Sequence, residues 1–213
     1  YIKNEYAHLK MYFYVMSFFV ISTLIFFICY WFMVILYDID SLIILSNSVK
    51  NSLKNQILCT LPMCHLFFYN YTIEYNNFQS ILGLLVLIIT GDIYFYISHR
   101  PMHTKLLWKF HKTHHQGNIC VSKSLDADLF EHLIGNLGSF AVGILLFQYY
   151  GFIFNIYVLY LWSAITTISV CISHSNSKCY LDNNVHLLHH KLLKYNFGTG
   201  FYIIDRVCNS HKS

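Results

Sequence analysis

The chain has 213 residues, of which 56% are hydrophobic and only 11% are charged, and its mean hydropathy is +0.46. A soluble globular domain carries roughly 25% charged residues, so this composition excludes an ordinary water-soluble domain, a disordered tail and a coiled coil. The net charge of +4 is too small to indicate nucleic-acid binding, and we expect none. The seven cysteines, an odd number, favour a reducing compartment over a disulfide framework. We therefore expect a membrane protein whose single domain covers residues 1–213.

Four apolar runs are long enough to be membrane spans, because about 20 helical residues cross the roughly 30 Å of hydrocarbon in a bilayer. A fifth apolar run, residues 57–69, is too short to span and contains Pro62, so it predicts an interfacial or re-entrant segment. The predicted fold class is all-α: a polytopic membrane protein with about four transmembrane helices and a cytosolic helical cap. The predicted spans are residues 11–37, 80–97, 133–150 and 152–172.

Two basic segments, residues 98–132 and 173–213, lie outside the spans. With four spans, both segments fall on the same side as the N-terminal region, where Lys3 and Lys10 lie. Cytosolic loops of membrane proteins are enriched in Lys and Arg, so this side is predicted to face the cytosol.

Most of the 13 histidines are grouped within these basic segments, in three short motifs. The motifs are H-R-P-M-H at 99–103, H-K-T-H-H at 111–115 and H-L-L-H-H at 186–190. Helical residues at i, i+3 and i+4 share one face, so each H-x-x-H-H motif projects three imidazoles to one side. Together the motifs supply eight imidazoles, enough for two metal ions, and imidazole suits Fe, Zn, Cu or Ni. Pro101 predicts a break or restart of the helix between His99 and His103, the two histidines of the first motif.

His132 and His174 each flank an apolar span, where an ionisable side chain is costly unless it is functional. We therefore predict that both are ligands, whereas His8, His65 and His211 are predicted to be solvated. The predicted metal ligands are His99, His103, His111, His114, His115, His132, His174, His186, His189 and His190.

Because it carries these motifs, the region from about residue 80 to residue 208 resembles the fatty acid hydroxylase/sterol desaturase superfamily of membrane di-iron enzymes. The tripeptide K-N-Q at 54–56, before Pro62, also resembles the sterol C4-methyl oxidase branch. The resemblance rests on D-I-Y-F-Y-I-S-H-R-P-M-H (92–103), L-W-K-F-H-K-T-H-H (107–115), E-H-L (131–133), H-S-N (174–176), H-L-L-H-H (186–190), Y-N-F-G (195–198) and D-R (205–206).

The chain departs from the family pattern at two places. Many relatives have a histidine where Asp128 stands, so His132, one turn later, takes that ligand position, or Asp128 does, or the site has one ligand fewer. The family's closing Trp-Asp is Ile204-Asp205 here, and V-C-N-S at 207–210 replaces the usual ending, so the last segment is expected to pack differently.

The resemblance implies two Fe(II) ions, with Zn as a possible substitute, and O2 as cosubstrate. It implies hydroxylation, methyl oxidation or desaturation of a membrane lipid, with a sterol ahead of a fatty acyl or sphingolipid substrate. Cytochrome b5 and an NADH reductase are the implied electron donors, and the endoplasmic reticulum is the expected location. No catalytic residue beyond the ligands is predicted. The candidates for fixing the second nitrogen of the ligand rings are Asp92, Asp128, Glu131, Asn176, Asn196 and Asp205.

Three other functions are compatible with parts of the pattern. A haem-bearing electron carrier needs only about two axial histidines per haem and leaves most of the motifs unexplained. A membrane zinc hydrolase is expected to show a catalytic Glu in a motif such as H-E-x-x-H, which this chain lacks. A catalytically inactive relative would keep the histidines, and the departures at Asp128 and the C-terminal end leave this alternative open.

Overall fold

The computed structural model describes residues 2–37, 42–67, 76–175 and 185–213, and all longer regular elements within them are helical. Two of these elements are π-helical turns, Gln56–Thr60 and His132–Leu137, each continuous with the helices on either side. The α-helices are α1 (Ile2–Tyr37), α2 (Leu42–Asn55), α3 (Leu61–Phe67), α4 (Asn77–Met102), α5 (Trp108–His115), α6 (Leu129–Glu131), α7 (Gly138–Tyr149), α8 (Ile156–Ser173), α9 (Val185–Leu192) and α10 (Ile203–Val207).

Within the described ranges, four helical stretches are long and apolar enough to cross a membrane. They correspond one to one with the four predicted spans, and the prediction of an all-α fold is confirmed. The third stretch is composite, since α6, the π-helical turn and α7 follow one another without a break. The four stretches are Tyr12–Tyr37, Asn77–Met102, Leu129–Tyr149 and Ile156–Ser173.

The direction of α1 differs from the prediction. In the first half of α1, Phe18 stacks on Tyr160, near the start of α8, with ring centroids 5.3 Å apart. Near its end, Tyr30 and Met33 pack in one cluster with Cys171, at the far end of α8. The two helices are therefore parallel. The prediction that the N-terminal region lies on the same side as the two basic segments is wrong, because α1 finishes at the end of the bundle where α8 finishes and therefore begins at the opposite end.

The chain returns along the bundle through the continuous helical stretch 42–67, which joins α2, the first π-helical turn and α3 and is not among the four stretches apolar enough to cross a membrane. Leu45 at its start packs in the cluster that contains the end of α1, and Cys64 near its end packs with Val15. The stretch thus runs antiparallel to α1 along the helix bundle, over a length of about 39 Å at 1.5 Å per residue. The apolar run at 57–69 predicts a separate short segment, but residues 57–67 are the second half of this longer helix, whose first half is polar. Residues 68 and 69 lie outside the described residues. The π-helical turn ends two residues before Pro62, which has no N–H for an α-helical bond.

Small residues bring α4 and α7 into close contact. A Cβ at Gly143 would lie 2.6 Å from Thr90 Oγ1 and 2.9 Å from Leu87 Cδ2, and a Cβ at Gly138 would lie 2.6 Å from the Tyr94 ring. These distances leave no room for a side chain on α7. The close approach fixes the end of α4 beside the start of the composite third stretch, and the histidine motifs lie at that end.

Candidate metal centre

Nine of the ten predicted ligands lie in two compact groups at the end of the helix bundle where α4 and α8 finish. Within each group the candidate nitrogen atoms are all within 4.8 Å of one another. Two nitrogens on opposite sides of one ion, at bonds of about 2.1 Å, are about 4.2 Å apart, so each group has the dimensions of one metal site. The five-histidine group is His99, His103, His111, His115 and His189, and the four-histidine group is His114, His174, His186 and His190.

Each H-x-x-H-H motif contributes to both groups. In α5, His111 and His115 belong to the five-histidine group, whereas His114 belongs to the four-histidine group. In α9 the same i, i+4 pairing sends two rings to the four-histidine group and the i+3 ring, His189, to the other. At 3.6 residues per turn, i+4 lies about 40° to one side of i and i+3 about 60° to the other. The three rings of each motif therefore do not share one face as predicted. Adjacent rings belong to the two different histidine groups.

Pro101 does not separate His99 from His103. Helix α4 continues through Pro101 to Met102, and His103 is the residue that caps its C-terminus. The expected break is absent because the proline stands in the last turn of α4. It removes one backbone hydrogen bond there, and only one further helical residue follows it. The Nε2 atoms of the two rings are 3.2 Å apart.

Acceptors on the outer side of four rings fix which nitrogen carries the hydrogen. The Nδ1 atoms of His99 and His189 each donate to a backbone carbonyl at 2.7 Å, and that of His174 donates to the Val170 carbonyl at 2.8 Å. His111 Nδ1 lies 2.9 Å from the Glu131 carboxylate. Since a carbonyl oxygen only accepts, Nδ1 of His99, His174 and His189 carries the hydrogen and Nε2 keeps its lone pair. The Glu131 carboxylate beside His111 Nδ1 favours the same tautomer of that ring, so all four rings present a metal-binding nitrogen to the interior of their group.

The Nε2 atoms of His99 and His111 are only 2.9 Å apart. With both hydrogens held on Nδ1, neither Nε2 of a neutral ring can donate to the other, so two lone pairs face each other. His189 Nε2 is buried with no hydrogen-bond partner in the described residues. Such an arrangement is stable when a cation is shared between the lone pairs, and an all-imidazole donor set fits Fe, Zn, Cu or Ni.

Burial lowers the pKa of several rings in the two groups and so keeps them neutral in the metal-free protein. It lowers the pKa of His174 and His189 to about 4, and it lowers the pKa of His103 and His190 to about 2 with a further contribution from neighbouring imidazoles. The pKa of His114 is lowered well below its ordinary value for the same reasons. A neutral imidazole is the form that binds metal, so the site is ready for ions at neutral pH.

Glu131 and Asp128, both predicted as candidate supporting residues, have different positions. Glu131 is buried and contacts His111, and its neighbour Phe130 stacks on Phe110 of α5 with ring centroids 4.4 Å apart. The Asp128 carboxylate instead accepts the backbone N–H of Phe130 at 2.8 Å and caps α6. Asp128 belongs to neither histidine group.

The remaining candidates support the backbone around the site. Asp205 and Asn196 are fully buried: Asp205 accepts from the segment that follows α9, and Asn196, within that segment, donates to the Lys212 carbonyl. Asp92 accepts backbone hydrogen bonds from Thr199 and Ile203. Asn176 lies outside the described residues. The two carbonyls that hold His99 and His189 belong to Phe197 and Tyr195 and were not predicted, because a backbone acceptor has no side-chain signature; the nearby Y-N-F-G motif was the only signal.

His132 belongs to neither group. It begins the second π-helical turn, and its Nε2 atom lies 3.2 Å from the hydroxyl of Thr60, in the first π-helical turn. The structure therefore brings His174 to the metal centre and places His132 in a separate polar contact between two helices.

A family model described as fatty acid hydroxylase matches residues 84–210, more than half of the chain. The match contains every histidine of both groups. A comparison with curated proteins found no match, and neither did a comparison with solved structures.

Proposed function

Because the chain belongs to the fatty acid hydroxylase family, a family of oxidoreductases, we propose that it is a membrane di-iron oxygenase that acts on a lipid. The observation that carries this proposal is the convergence of nine imidazoles in two adjacent groups, with lone pairs facing each other. A haem carrier would leave most of these rings unused. The soluble di-iron proteins of helical bundles differ in using carboxylate ligands.

In this proposal the protein binds two iron ions through Nε2 atoms, and contacts to the Nδ1 atoms on the outer side orient the rings. Iron, when bound, supplies the activation of O2 that removes hydrogen from an unactivated C–H bond. Glu131 holds His111, and the backbone carbonyls of Tyr195 and Phe197 hold His189 and His99.

We propose a sterol as the first substrate class to test, with fatty acyl lipids second. The K-N-Q resemblance at 54–56 supports this order. Asn55 and Gln56 are both buried, and Asn55 Nδ2 donates to the Ala127 carbonyl at 2.8 Å. The motif thereby ties the helical stretch 42–67 to the loop that leads to Glu131.

We propose that the metal centre faces the cytosol, in the endoplasmic reticulum, and that cytochrome b5 with an NADH reductase supplies electrons. Within the described residues, most Lys and Arg side chains belong to segments at the end of the bundle with the site: Arg100, Lys105, Lys109, Lys112, Lys123, Lys191, Lys194, Arg206 and Lys212. This asymmetry favours a cytosolic orientation. Lys109, Lys112 and Lys191 are exposed there and suit an acidic electron donor.

The test is expression with cytochrome b5 and its reductase in a sterol-auxotrophic host, followed by mass spectrometry of lipids. Hydroxylation adds about 16 mass units and desaturation removes about 2, as the stoichiometry of the oxidation requires. His174→Ala should lose product and metal from the four-histidine group. His132→Ala, altered at a similarly buried histidine outside both groups, should keep both metal ions. Full metal content with no change in any lipid class would favour an inactive relative.

A further inference from the structure

One turn of backbone, residues 195–198, lies behind two ligands of the five-histidine group. The Tyr195 carbonyl accepts the hydrogen of His189 Nδ1, and the Phe197 carbonyl accepts that of His99 Nδ1, both at 2.7 Å. The two rings come from different helices, α9 and α4. No carbonyl of this turn bonds a ring of the four-histidine group among the described contacts. The turn therefore acts on one group only.

The peptide group between Phe197 and Gly198 is held from both sides. Its carbonyl faces His99, and its N–H, on Gly198, donates to Asp205 Oδ2 at 2.6 Å. Carbonyl and N–H point in opposite directions in a trans peptide, so a carboxylate behind the N–H aims the carbonyl at the ring. The same carboxylate accepts from the Phe197 N–H at 2.9 Å and from the Ser210 hydroxyl at 2.8 Å. Its charge also polarises the carbonyl as an acceptor.

The peptide group between Tyr195 and Asn196 is held in the same manner. Its carbonyl faces His189, and its N–H donates to the Ser210 carbonyl at 2.7 Å. Asn196 adopts the left-handed conformation with φ of 60°, and its side chain bonds both the carbonyl and the N–H of Lys212, at 2.8 Å and 2.7 Å. Asn196 thus fastens the final segment that contains Ser210 against the turn.

We propose that Asp205 and Asn196 are positioning residues of the five-histidine group, acting through the peptide groups that face His99 and His189. The inference rests on the proposed function only in taking the two groups as metal sites. Asp205→Asn replaces one acceptor oxygen with a donor that faces the N–H of Phe197 or Gly198. The turn is then released, while every ligand side chain remains. Loss of an outer partner of a metal-binding histidine typically lowers metal affinity about 10- to 100-fold.

The experiment uses the full chain in detergent, loaded with Co(II), and follows both metal content and the visible Co(II) spectrum during challenge with a chelator. Wild type should hold two ions. Asp205→Asn should lose one of them about 10-fold faster or more. The spectrum of its remaining ion should match that of His99→Ala and differ from that of His186→Ala. Asp126→Asn is the matched control, because that carboxylate is held by Asn51 at 2.9 Å and contacts no ring.

Ser210→Ala provides a milder variant in case Asp205→Asn does not fold, since it removes one of the three donors to Asp205. It should accelerate loss of the same ion by a smaller factor. Wild-type retention of both ions in Asp205→Asn and Ser210→Ala would overturn the inference, and so would equal loss from both groups. These readouts need no turnover, so a metal-binding protein that oxidises no lipid would refute the proposed function and leave the positioning role standing.

Discussion

Glu131 and Asp128 illustrate, at the scale of single residues, how two nearby carboxylates acquire different roles. One contacts His111 at 2.9 Å and the other caps a helix. Their separation of three residues places them at similar depth, and both are acidic. The difference arises from the helix that each faces, because Phe130 stacks on Phe110 and brings α5 against Glu131.

Replacement of Glu131 by Gln should weaken metal binding in the five-histidine group. The amide lacks the negative charge that favours a hydrogen on His111 Nδ1, and affinity for one of the two ions should fall about 10-fold or more. Competition with a chromogenic chelator would measure this change. Asp128→Asn is the matched control, since Asn is an equally good helix cap and should leave both affinities unaltered. Reduced affinity in Asp128→Asn alone would instead support Asp128 as a ligand.

The eight histidines in the three motifs could be identified from the sequence because their spacing requires little knowledge of the fold. The distinction between His132 and His174 could not. Both stand at the edge of an apolar helix, and only the way helices meet brings one to the centre and the other to Thr60. Tertiary contact, which spacing does not encode, decides between them.

At the scale of helices, close contact between α4 and α7 determines where the ends of the histidine-bearing segments lie. Leu87, Thr90 and Tyr94 on α4 face glycines on or next to α7. The positions of apolar helices were predictable, since length and hydropathy are local properties. The return of the chain along the bundle through residues 42–67 could not be predicted. Polar side chains in α2 are buried against the loop near Asp126, and they lower the mean hydropathy of the stretch.

Gly143→Ala should destabilise the protein by about 1–3 kcal/mol, the usual cost of overpacking a close contact. The new methyl group would lie 2.6 Å from Thr90 Oγ1 and 3.4 Å from Leu87 Cα, a backbone atom that cannot turn aside as a side chain can. Thermal unfolding in detergent would measure the effect. Leu145→Ala, at a half-exposed residue two positions along α7, should change the midpoint much less. A larger loss at Leu145 would contradict the proposed close contact.

At the scale of the whole molecule, the parallel arrangement of α1 and α8 sets the start of α1 opposite the metal centre. An epitope placed ahead of α1 should therefore share a side with one inserted at the Gly151 turn, which precedes α8. An epitope after Ser213 should be on the other side. Antibody access in sealed and permeabilised vesicles would distinguish them. Labelling of the first and last epitopes from the same side would contradict the observed direction of α1.

Acid should destabilise the metal-free protein. The folded-state pKa of His174 and His189 is about 4, below the ordinary value near 6.5, so the unfolded chain binds more protons between these pH values. Each ring should remove about 1.4 kcal/mol of stability per pH unit as pH falls through that window. The midpoint of thermal unfolding should be independent of pH from 7 to 8, and it should decrease as the pH falls below about 6.5.

The matched variants for this pH series are His189→Gln and His211→Gln. Replacement of His189 should reduce the slope, because it removes a buried ring that must stay neutral in the folded state. His211 lies outside both groups, so its replacement should preserve the slope. A midpoint independent of pH between 7 and 5 in the unaltered chain would contradict this account.

The division of neighbouring rings, His114 from His115 and His189 from His190, links the two metal positions through single peptide bonds. Neither position can be adjusted by rotating α5 or α9 without moving the other. One inserted residue in either helix would turn the following rings by about 100° and disturb both histidine groups together. Natural variation that adjusts one histidine group without the other should therefore occur outside these helices, in residues such as Glu131 that contact the outer nitrogens of the rings.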